Sequence, residues 1–405
     1  MAVSIEEALE RIYSLPVRRR REFIPIESAC GRILADDLVA VHNLPPYDNS
    51  AMDGYAVVCA DAGTTVEEAT TIFAGDKRTL KIIQGEAARI MTGARLPEGT
   101  ECIVPIEDVT VEGRHVTLPD SLAPGRHIRL CGEDIEAGEV LLERGEKLSA
   151  HHITLLASQG ISHVGVYQKP RVALFASGNE LKMHFETVQA HQLYNTNTPT
   201  FAARAGELDC DVHFIGTAAD TLDDLLEHIE DALQSDLVIT SGGVSVGDAD
   251  YTREAFGRFD FAPLFEKVDV KPGKPTTVGT VGNTFVLNLP GNPLAAALNF
   301  ELFGQALITH LSGTSRPYQN TIAARLAAPL KLRPGRRTLI PGFFDGERFT
   351  ICDKFAPGMI SPLARSNGFI MVDERCGSLE TDAPVRVIPT RFIWRSDRPV
   401  PLTSG

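Results

Sequence analysis

Apolar and polar segments alternate regularly in the middle of the chain. From residue 171 onward, apolar runs such as "RVALFAS", "DVHFIG", "DLVITSGG", "VDV" and "TFVLNLP" are separated by amphipathic segments. This alternation predicts a mostly parallel sheet with helices on both faces. The clearest helix begins near Leu222, where apolar residues recur at helical spacing opposite five acids. We therefore expect an α/β domain that ends near Gly313.

The flanking regions follow other patterns. Ser4 and Glu7 form a capping-box pattern before an amphipathic segment, which predicts an N-terminal helix. Between 45 and 140, short apolar runs are broken by Gly, Pro and Asp, which predicts a small β domain. Residues 151–170 favour a helix followed by a strand. Beyond Pro317, short apolar runs and turn residues predict a C-terminal β domain.

Composition narrows the class of protein. A chain of 405 residues exceeds the usual limit for one hydrophobic core, so we expect several domains. A net charge of −14 opposes a nucleic-acid partner. The run "RRRR" at 18–21 could form a binding patch, but in so acidic a chain a solvated face is favoured. Seven scattered cysteines without a C-x-x-C pair suit reduced thiols, and no apolar run reaches membrane-spanning length. We expect a cytoplasmic protein without a membrane segment.

Ligands of open α/β sheets bind at the carboxyl ends of the strands, and four loops are predicted there. The first, "FASGNEL" at 175–181, offers Gly178 for a tight turn and Glu180 as a carboxylate. A turn with an acid that starts a helix explains this loop equally well. This loop therefore leaves both readings open.

The second loop, "SGGVSVGDADY" at 241–251, is rich in bare backbone. Its glycines and serines suit a phosphate, and Asp248 and Asp250 could hold a divalent cation. A flexible connection with Asp250 as a helix cap is the alternative. The phosphate-binding candidates are Ser241, Gly242, Gly243 and Ser245.

The third and fourth loops suggest positive charge. In "VDVKPGKPTTVG", Lys271 and Lys274 flank a stiff turn, which favours an anion site. In "LPGNP", Asn292 can cap a helix whose N-terminus faces the loop, although structural capping alone explains this motif. The residues of the fourth loop that could contact a ligand are Pro290, Gly291 and Asn292.

Together the four loops predict an anionic, phosphorylated ligand. Carboxylates beside such a ligand need a bridging cation, which suggests Mg²⁺ held by Glu180, Asp220 and Asp250. Asp220 could instead cap a helix that begins at Thr221.

The motifs "PPYDNSAMDGYAV", "GEAARIMTGARLPEGTECIVPIEDV", "GED", "SGGVSVGDADY", "KPGKP" and "LPGNP" occur in this order. Through these motifs the chain resembles the molybdopterin molybdenumtransferase family over almost its whole length. The resemblance implies an elongated, four-domain homodimer. Its domains would be residues 1–40 with 140–168, the β insertion 41–139, the α/β domain 169–315 and a β-barrel-like domain 316–405.

The resemblance also implies a reaction, in which molybdenum passes from molybdate to adenylylated molybdopterin with Mg²⁺ and AMP is released. It assigns Glu180, Asp220 and Asp250 to Mg²⁺ and pyrophosphate, and Lys271 and Lys274 to the anions. The neighbouring subunit would contribute Asp53, Thr92 and Asp134. Contact with the adenylyltransferase that makes the substrate, and with apo-molybdoenzymes or their chaperones, would follow.

Other functions share parts of this pattern. Molybdopterin adenylyltransferase shares the central fold, although stand-alone forms lack the insertion and the C-terminal domain. A tungsten-inserting paralogue and a non-enzymatic pterin carrier or scaffold, as in the gephyrin E domain, also stay open. This chain departs from the family at Asn179, where an acid is common, and around Arg336 and Ser361, which would otherwise contact molybdate.

Overall fold

The structure is a computed structural model that describes residues 2–242 and 251–391. Contacts divide the chain into two compact units. The first comprises residues 1–35, 145–150 and 163–405, and the second comprises 36–144 and 151–162. The helices are α1 Ile5–Tyr13, α2 Ala150–Ser158, α3 Asn197–Glu207, α4 Leu222–Ala232, α5 Tyr251–Gly257, α6 Pro293–Asn299, α7 Gln305–Ser312 and α8 Ser361–Arg365.

Most strands are short. The first eleven are β1 Arg21–Pro25, β2 Leu38–Val39, β3 Asn49–Ser50, β4 Gly54–Val57, β5 Thr65–Ile72, β6 Glu86–Ile90, β7 Cys102–Pro105, β8 Thr110–Glu112, β9 His115–Thr117, β10 Ile128–Arg129 and β11 Val140–Leu142. The next ten are β12 His163–Tyr167, β13 Arg171–Ser177, β14 Leu181–Lys182, β15 Leu193–Tyr194, β16 Asp211–Ala218, β17 Leu237–Ser241, β18 Ala262–Phe265, β19 Val270–Lys271, β20 Thr277–Val281 and β21 Thr284–Leu289. The last seven are β22 Ile322–Leu326, β23 Leu330–Lys331, β24 Arg337–Phe344, β25 Arg348–Ile351, β26 Gly368–Val372, β27 Ser378–Leu379 and β28 Pro384–Pro389.

The second unit is built on a six-stranded sheet with the order β7-β4-β6-β5-β9-β8. Successive side chains of a strand point to opposite faces, and β4 shows this clearly. Tyr55 and Val57 pack into one apolar cluster, whereas Ala56 packs into another. Both faces of the sheet centre are therefore buried, and the predicted mainly β insertion is confirmed.

The central sheet of the first unit has the order β16-β13-β17-β21-β20-β18. Its first four strands are parallel, and β20 and β18 extend it in antiparallel fashion. In β13, Val172 and Leu174 face a cluster with α1, α3, α6 and α7, whereas Ala173 and Phe175 face α4 and α5. The predicted mostly parallel sheet with helices on both faces is confirmed.

Two helix starts can be compared with their sequence patterns. Ser4 caps α1, since its hydroxyl accepts a hydrogen bond from the Glu7 N–H at 3.1 Å. At α4, Thr221 is the cap and accepts from the Asp224 N–H. The alternative in which Asp220 caps this helix is therefore wrong, because the threonine hydroxyl already fills that role.

Five strands close the C-terminal sheet into a barrel. Strand β24 pairs with β25 and β26, and β28 and β22 complete the ring. Ile340, Phe349, Ile370 and Val387 fill its interior. Strand β19 joins this barrel beside β24. The reading of "VDV" as part of the central alternation was thus wrong, because its strand pairs with the barrel.

Candidate functional site

Three of the four candidate loops follow parallel strands of the central sheet. They begin after Ser177, Ser241 and Leu289, at the ends of β13, β17 and β21. The loops after β17 and β21 are hydrogen-bonded to each other. The Gly242 N–H donates to the Leu289 carbonyl at 3.2 Å, and the Ser241 hydroxyl donates to the Pro290 carbonyl at 3.3 Å.

Gly242 is required by this packing. Its φ of +97° is a conformation that side chains disfavour, and an added Cβ would lie 2.4 Å from the Ser177 carbonyl oxygen. A Cβ on Gly291 would instead lie 3.7 Å from the Gly242 Cα, an ordinary contact. Backbone from three strand ends therefore meets at Gly242, at the edge where ligands of such sheets bind.

Asn197 is a site residue that the sequence reading missed. It is the first residue of α3 and is 8% exposed. Its amide donates to the Ser241 hydroxyl at 2.7 Å and to the Gly291 carbonyl at 2.9 Å. Asn197 therefore fixes two candidate loops. The polar run "YNTNTPT" around it is typical of an ordinary loop, so local sequence gave no reason to select it.

Glu180 and Asp220 lie on neighbouring loops. The Asn179 N–H donates to the Asp220 carboxylate at 3.3 Å, and the Asp220 N–H donates to the Asn179 side-chain oxygen at 3.1 Å. The Glu180 carboxylate turns back toward Gly178. After Glu180 the chain enters β14, so the alternative in which this acid starts a helix is wrong.

The two carboxylates suit a hard cation. Glu180 is exposed and Asp220 is half-buried, and among the described residues neither forms an ion pair. Magnesium is commonly held by one or two carboxylates together with substrate phosphates, so this donor set fits Mg²⁺. Residues 2–242 and 251–391 contain no group of three acidic, histidine or cysteine side chains arranged for a metal. The third predicted ligand, Asp250, lies outside the described residues, as do Gly243, Ser245 and Asp248.

The N-terminus of α6 is already partly satisfied. Asn292 occupies the cap position, but its side chain makes no capping bond. Instead the Leu294 and Ala295 N–H groups donate to the Pro357 carbonyl at 3.0 and 3.3 Å. Two of the donors expected to face a ligand are thus used by the segment before α8. Asn292 and Gly291 themselves are exposed.

The third candidate loop, residues 268–279, is named the lysine loop, and its position differs from the predicted one. Lys271 lies in β19 and pairs with Thr338 of the barrel, so the turn after it follows a barrel-paired strand and not a parallel strand of the central sheet. The Asn299 amide, on α6, donates to the Pro272 carbonyl at 3.0 Å. Gly273 has a φ of +109°, and a Cβ there would overlap that amide. Within the described part of the chain, neither Lys271 nor Lys274 forms an ion pair. These ammonium groups are thus available to an anion.

Arg336 has an acidic partner in the lysine loop. The Arg336 guanidinium lies 3.6 Å from the Asp269 carboxylate. Ser361 is the first residue of α8. The structure therefore ties Arg336 to a carboxylate.

The second unit brings its three candidate segments together. The Ser50 N–H donates to the Ala94 carbonyl at 3.1 Å, and β3 pairs with β10. The Asp134 N–H donates to the Leu44 carbonyl at 3.0 Å. Residues 44–53, 91–96 and 127–135 are therefore adjacent, although they are far apart in sequence.

Asp53 and Thr92 form a direct pair in this unit. The Thr92 hydroxyl and N–H both donate to one oxygen of the Asp53 carboxylate, at 2.6 and 2.7 Å. These two hydrogen bonds lower the pKa of Asp53 below its ordinary value. The side chain of Asp53 is exposed and stays ionised at neutral pH, in a fixed orientation.

All seven cysteines lie in the described residues, and none is joined in a disulfide. Burial raises the pKa of Cys102 and of Cys210 to about 12. Both thiols are therefore protonated and poor nucleophiles at neutral pH. Helices long and apolar enough to cross a membrane are absent from the described ranges.

Comparison with known families covers most of the chain. Residues 3–160 match the family described as MoeA N-terminal region (domain I and II). Residues 173–310 match the probable molybdopterin binding domain, and residues 323–390 match the MoeA C-terminal region (domain IV).

Similar proteins cover the chain nearly end to end. Molybdopterin molybdenumtransferase from Haemophilus influenzae is 34% identical over 93% of this chain and 95% of its own length. Molybdopterin molybdenumtransferase 2 from Mycobacterium tuberculosis is 34% identical over 87% of this chain and 90% of its own. The crystal structure of the molybdopterin biosynthesis moea protein from Pyrococcus horikoshii superimposes with a TM-score of 0.85 at 29% identity, over 97% of this chain and 100% of that one. The chain therefore belongs to the molybdopterin molybdenumtransferase family.

Proposed function

We propose that the protein inserts molybdenum from molybdate into adenylylated molybdopterin, in a reaction that requires Mg²⁺. The phosphoanhydride bond breaks and AMP leaves. The two dithiolene sulfurs replace two oxygens of molybdate. One of these oxygens, as water, is consumed when the anhydride is cleaved, and the other leaves as water. The observation that carries the proposal is the hydrogen-bonded strand-end edge, where Glu180 and Asp220 lie on loops next to the backbone junction at Gly242.

The residues of the strand-end edge would have separate binding roles. Glu180, Asp220 and Asp250 would hold Mg²⁺, which offsets the charge on the pyrophosphate of the substrate. The phosphate and pterin would be held by Ser241, Gly242, Gly243, Ser245, Pro290, Gly291 and Asn292. Lys271 and Lys274 would attract molybdate, since fixed cations stabilise anions that otherwise repel each other. Asn197 would position Ser241 and Gly291 without touching substrate.

We further propose that two copies of the chain share each active site. One copy would supply the strand-end edge, and the other would supply Asp53, Thr92 and Asp134. The convergence of residues 44–53, 91–96 and 127–135 supports this proposal, because it gathers the family motifs of the second unit on one surface. Thr92 holds the Asp53 carboxylate in one orientation, which suits a residue that contacts a substrate bound to another subunit.

The proposed setting is the cytoplasm, where thiols stay reduced, and seven free cysteines are consistent with it. An adenylyltransferase would supply the substrate there. Apo-molybdoenzymes or their chaperones would receive the product.

Reconstitution tests the reaction. Purified protein is incubated with adenylylated molybdopterin, molybdate and Mg²⁺, and AMP and the molybdenum cofactor are both measured. We expect stoichiometric release of AMP, loss of release with EDTA, and recovery with added Mg²⁺. Asp250→Ala should keep the fold and abolish turnover. A parallel arm with tungstate tests the tungsten-inserting alternative. Cofactor formation that persists in EDTA would remove Mg²⁺ from the proposal.

Mixed dimers test the shared site. Asp53→Ala and Asp220→Asn are each expected to be inactive alone. If subunits exchange at random, about half of the dimers are mixed and each carries one intact site, which predicts about a quarter of native activity. Native mass spectrometry confirms that mixed dimers form. Mixed dimers without recovered activity would show that each site lies within one chain.

A further inference from the structure

The segment that joins β12 to β13 in the first unit, residues 168–170, separates two adjoining depressions. One has a volume of about 200 Å³, and the other is a shallow cleft of about 20 Å³. Gln168, Lys169 and Pro170 line both. The basic residues that line the two depressions are named here the basic patch, and they are Arg18, Arg19, Arg20, Arg32, Lys147, Lys169 and Arg316.

Carboxylates are scarce on this surface. Asp209 and Asp236 are the acids that line the two depressions in the described structure, against seven basic side chains. Each of these carboxylates is shared between two cations. Asp236 contacts Arg20 at 3.2 Å and Arg171 at 3.3 Å. One negative charge thus meets two positive charges, and a positive excess remains.

The same arrangement recurs in the deeper depression. Asp209 contacts Lys147 at 3.0 Å and Lys169 at 3.8 Å, and both lysine side chains stay partly exposed, at 55% and 35%. Arg32 is 10% exposed and is neutralised by Glu22, so it adds little. Lys147 and Lys169 therefore keep charge that solvent or a ligand can reach.

Two further cations lack an ion-pair partner among the described residues. Arg18 and Arg316 are exposed, and in the described ranges neither lies within ion-pair distance of a carboxylate. Arg19 is fixed by donating to the His310 carbonyl at 2.7 Å and by lying 6.0 Å from the centre of the Tyr167 ring. The Arg19 guanidinium is therefore held in place by the folded unit, which lowers the entropy that this side chain loses on binding.

This surface contrasts with the rest of the chain, whose net charge is −14. A local positive field in an acidic protein attracts negatively charged ligands. The expectation that "RRRR" at 18–21 is only a solvated face is thus incomplete. Arg18, Arg19 and Arg20 line the shallow depression, and Lys169 links them to the deeper one.

We propose that the basic patch binds an acidic segment of a partner protein. A small anion would fill a single depression, whereas a chain of carboxylates can contact both through Lys169. The proposal does not depend on the reaction proposed above, because none of the patch residues belongs to the strand-end edge.

A labelled peptide tests the proposal. The probe is a fluorescein-labelled peptide of about twelve glutamates, which spans roughly 40 Å when extended. Its anisotropy is measured with the full-length protein at several salt concentrations. We expect saturable binding that weakens as salt rises, since exposed charges are screened. The variant Arg18→Glu with Lys169→Glu should weaken binding by about tenfold or more.

The control variant, Lys77→Glu with Arg375→Glu, makes the same change in net charge at exposed positions outside the patch. It should bind the peptide within about twofold of the native protein. Circular dichroism and sedimentation verify that both variants fold and keep the native oligomeric state. Equal losses in both variants, or no binding by the native protein, would overturn the proposal.

Competition separates the ligand classes. Inorganic phosphate should displace the peptide no better than chloride at equal ionic strength. Displacement by phosphate at far lower concentration would overturn the proposal in favour of a small-anion site in one depression. Tighter binding of a DNA oligonucleotide than of the peptide, lost in the patch variant, would overturn it in favour of a phosphate backbone.

Discussion

Two sets of carboxylates in this molecule have opposite surroundings. Asp53, in the second unit, receives two hydrogen bonds from Thr92, which lower its pKa. Glu180 and Asp220, in the first unit, meet no cation among the described residues, and Asp220 receives a single bond from the Asn179 N–H. The first arrangement fixes a charge, whereas the second leaves charge for a ligand to neutralise. We therefore propose that Asp53 orients the substrate and that Glu180 and Asp220 bind a cation.

The largest expected effect is on Mg²⁺ affinity, and it distinguishes Asp220 from Asp53. Asp220→Asn keeps the shape of the side chain but removes a ligand charge, so Mg²⁺ binding should weaken at least roughly tenfold, since even indirect partners of metal ligands cost that much. Asp53→Asn should leave Mg²⁺ binding unchanged. Isothermal titration with Mg²⁺ in the presence of AMP measures both. Asp223→Asn, an exposed acid in the first turn of α4, is the control. Equal losses in Asp53→Asn and Asp220→Asn would end the distinction.

The next largest effect concerns the backbone next to Glu180 and Asp220. Gly242→Ala should lower the free energy of unfolding by about 2 kcal/mol, because of the contact with the Ser177 carbonyl and the strained φ. Gly291→Ala has room for its Cβ and should change the free energy of unfolding by less than about 0.5 kcal/mol. Urea denaturation measures both variants. A smaller loss for Gly242→Ala than for Gly291→Ala would contradict the packing described.

The lysine loop should respond more weakly. Lys271→Ala removes an ammonium group that has no acid partner in the described structure, and the affinity for molybdate should fall by roughly threefold to tenfold, more at low salt. Lys267→Ala, an exposed lysine in the same connection, is the control. Equilibrium dialysis with molybdate at two salt concentrations measures the change. An unchanged affinity for Lys271→Ala would remove this lysine from the anion site.

The smallest effect sharpens the description of Asp53. Thr92→Val removes the hydroxyl donor, so the pKa of Asp53 should rise toward its ordinary value of 3.8. Because the folded pKa is depressed, the pair stabilises the protein above about pH 3.8. That stability is lost as the pH falls through the folded pKa. Carboxyl NMR titration measures the shift. Asp345, whose pKa is lowered by the N–H groups of Arg348 and Glu347, should titrate as before.

Much of the fold could be predicted because it rests on local patterns. The helix α4 and the strand β13 carry their apolar faces in their own sequence. The antiparallel strands β18 and β20 were missed, and β19 was placed in the wrong sheet. Pairing partners of short strands depend on contacts distant in sequence, which periodicity does not contain.

The site was predicted unevenly for the same reason. Ser241 ends a buried strand and Gly242 follows it, and that position identified them. Asn197 was missed because its role arises only when α3 meets two strand ends. The use of the α6 N-terminus by Pro357 was also not foreseeable, since the carbonyl comes from the C-terminal region. Assignments to Mg²⁺ and to phosphate stay predictions.

The pairing of β19 with β24 limits where the chain can be cut into separately folding fragments. A fragment of residues 169–315 would contain the central sheet but would leave Val270 and Lys271 without their hydrogen-bonding partner in the barrel. Such a fragment would retain the strand ends but would misplace the two lysines that we propose attract molybdate. The barrel and the sheet are therefore expected to be inherited together, because exchanging either one alone would remove the pairing that holds β19.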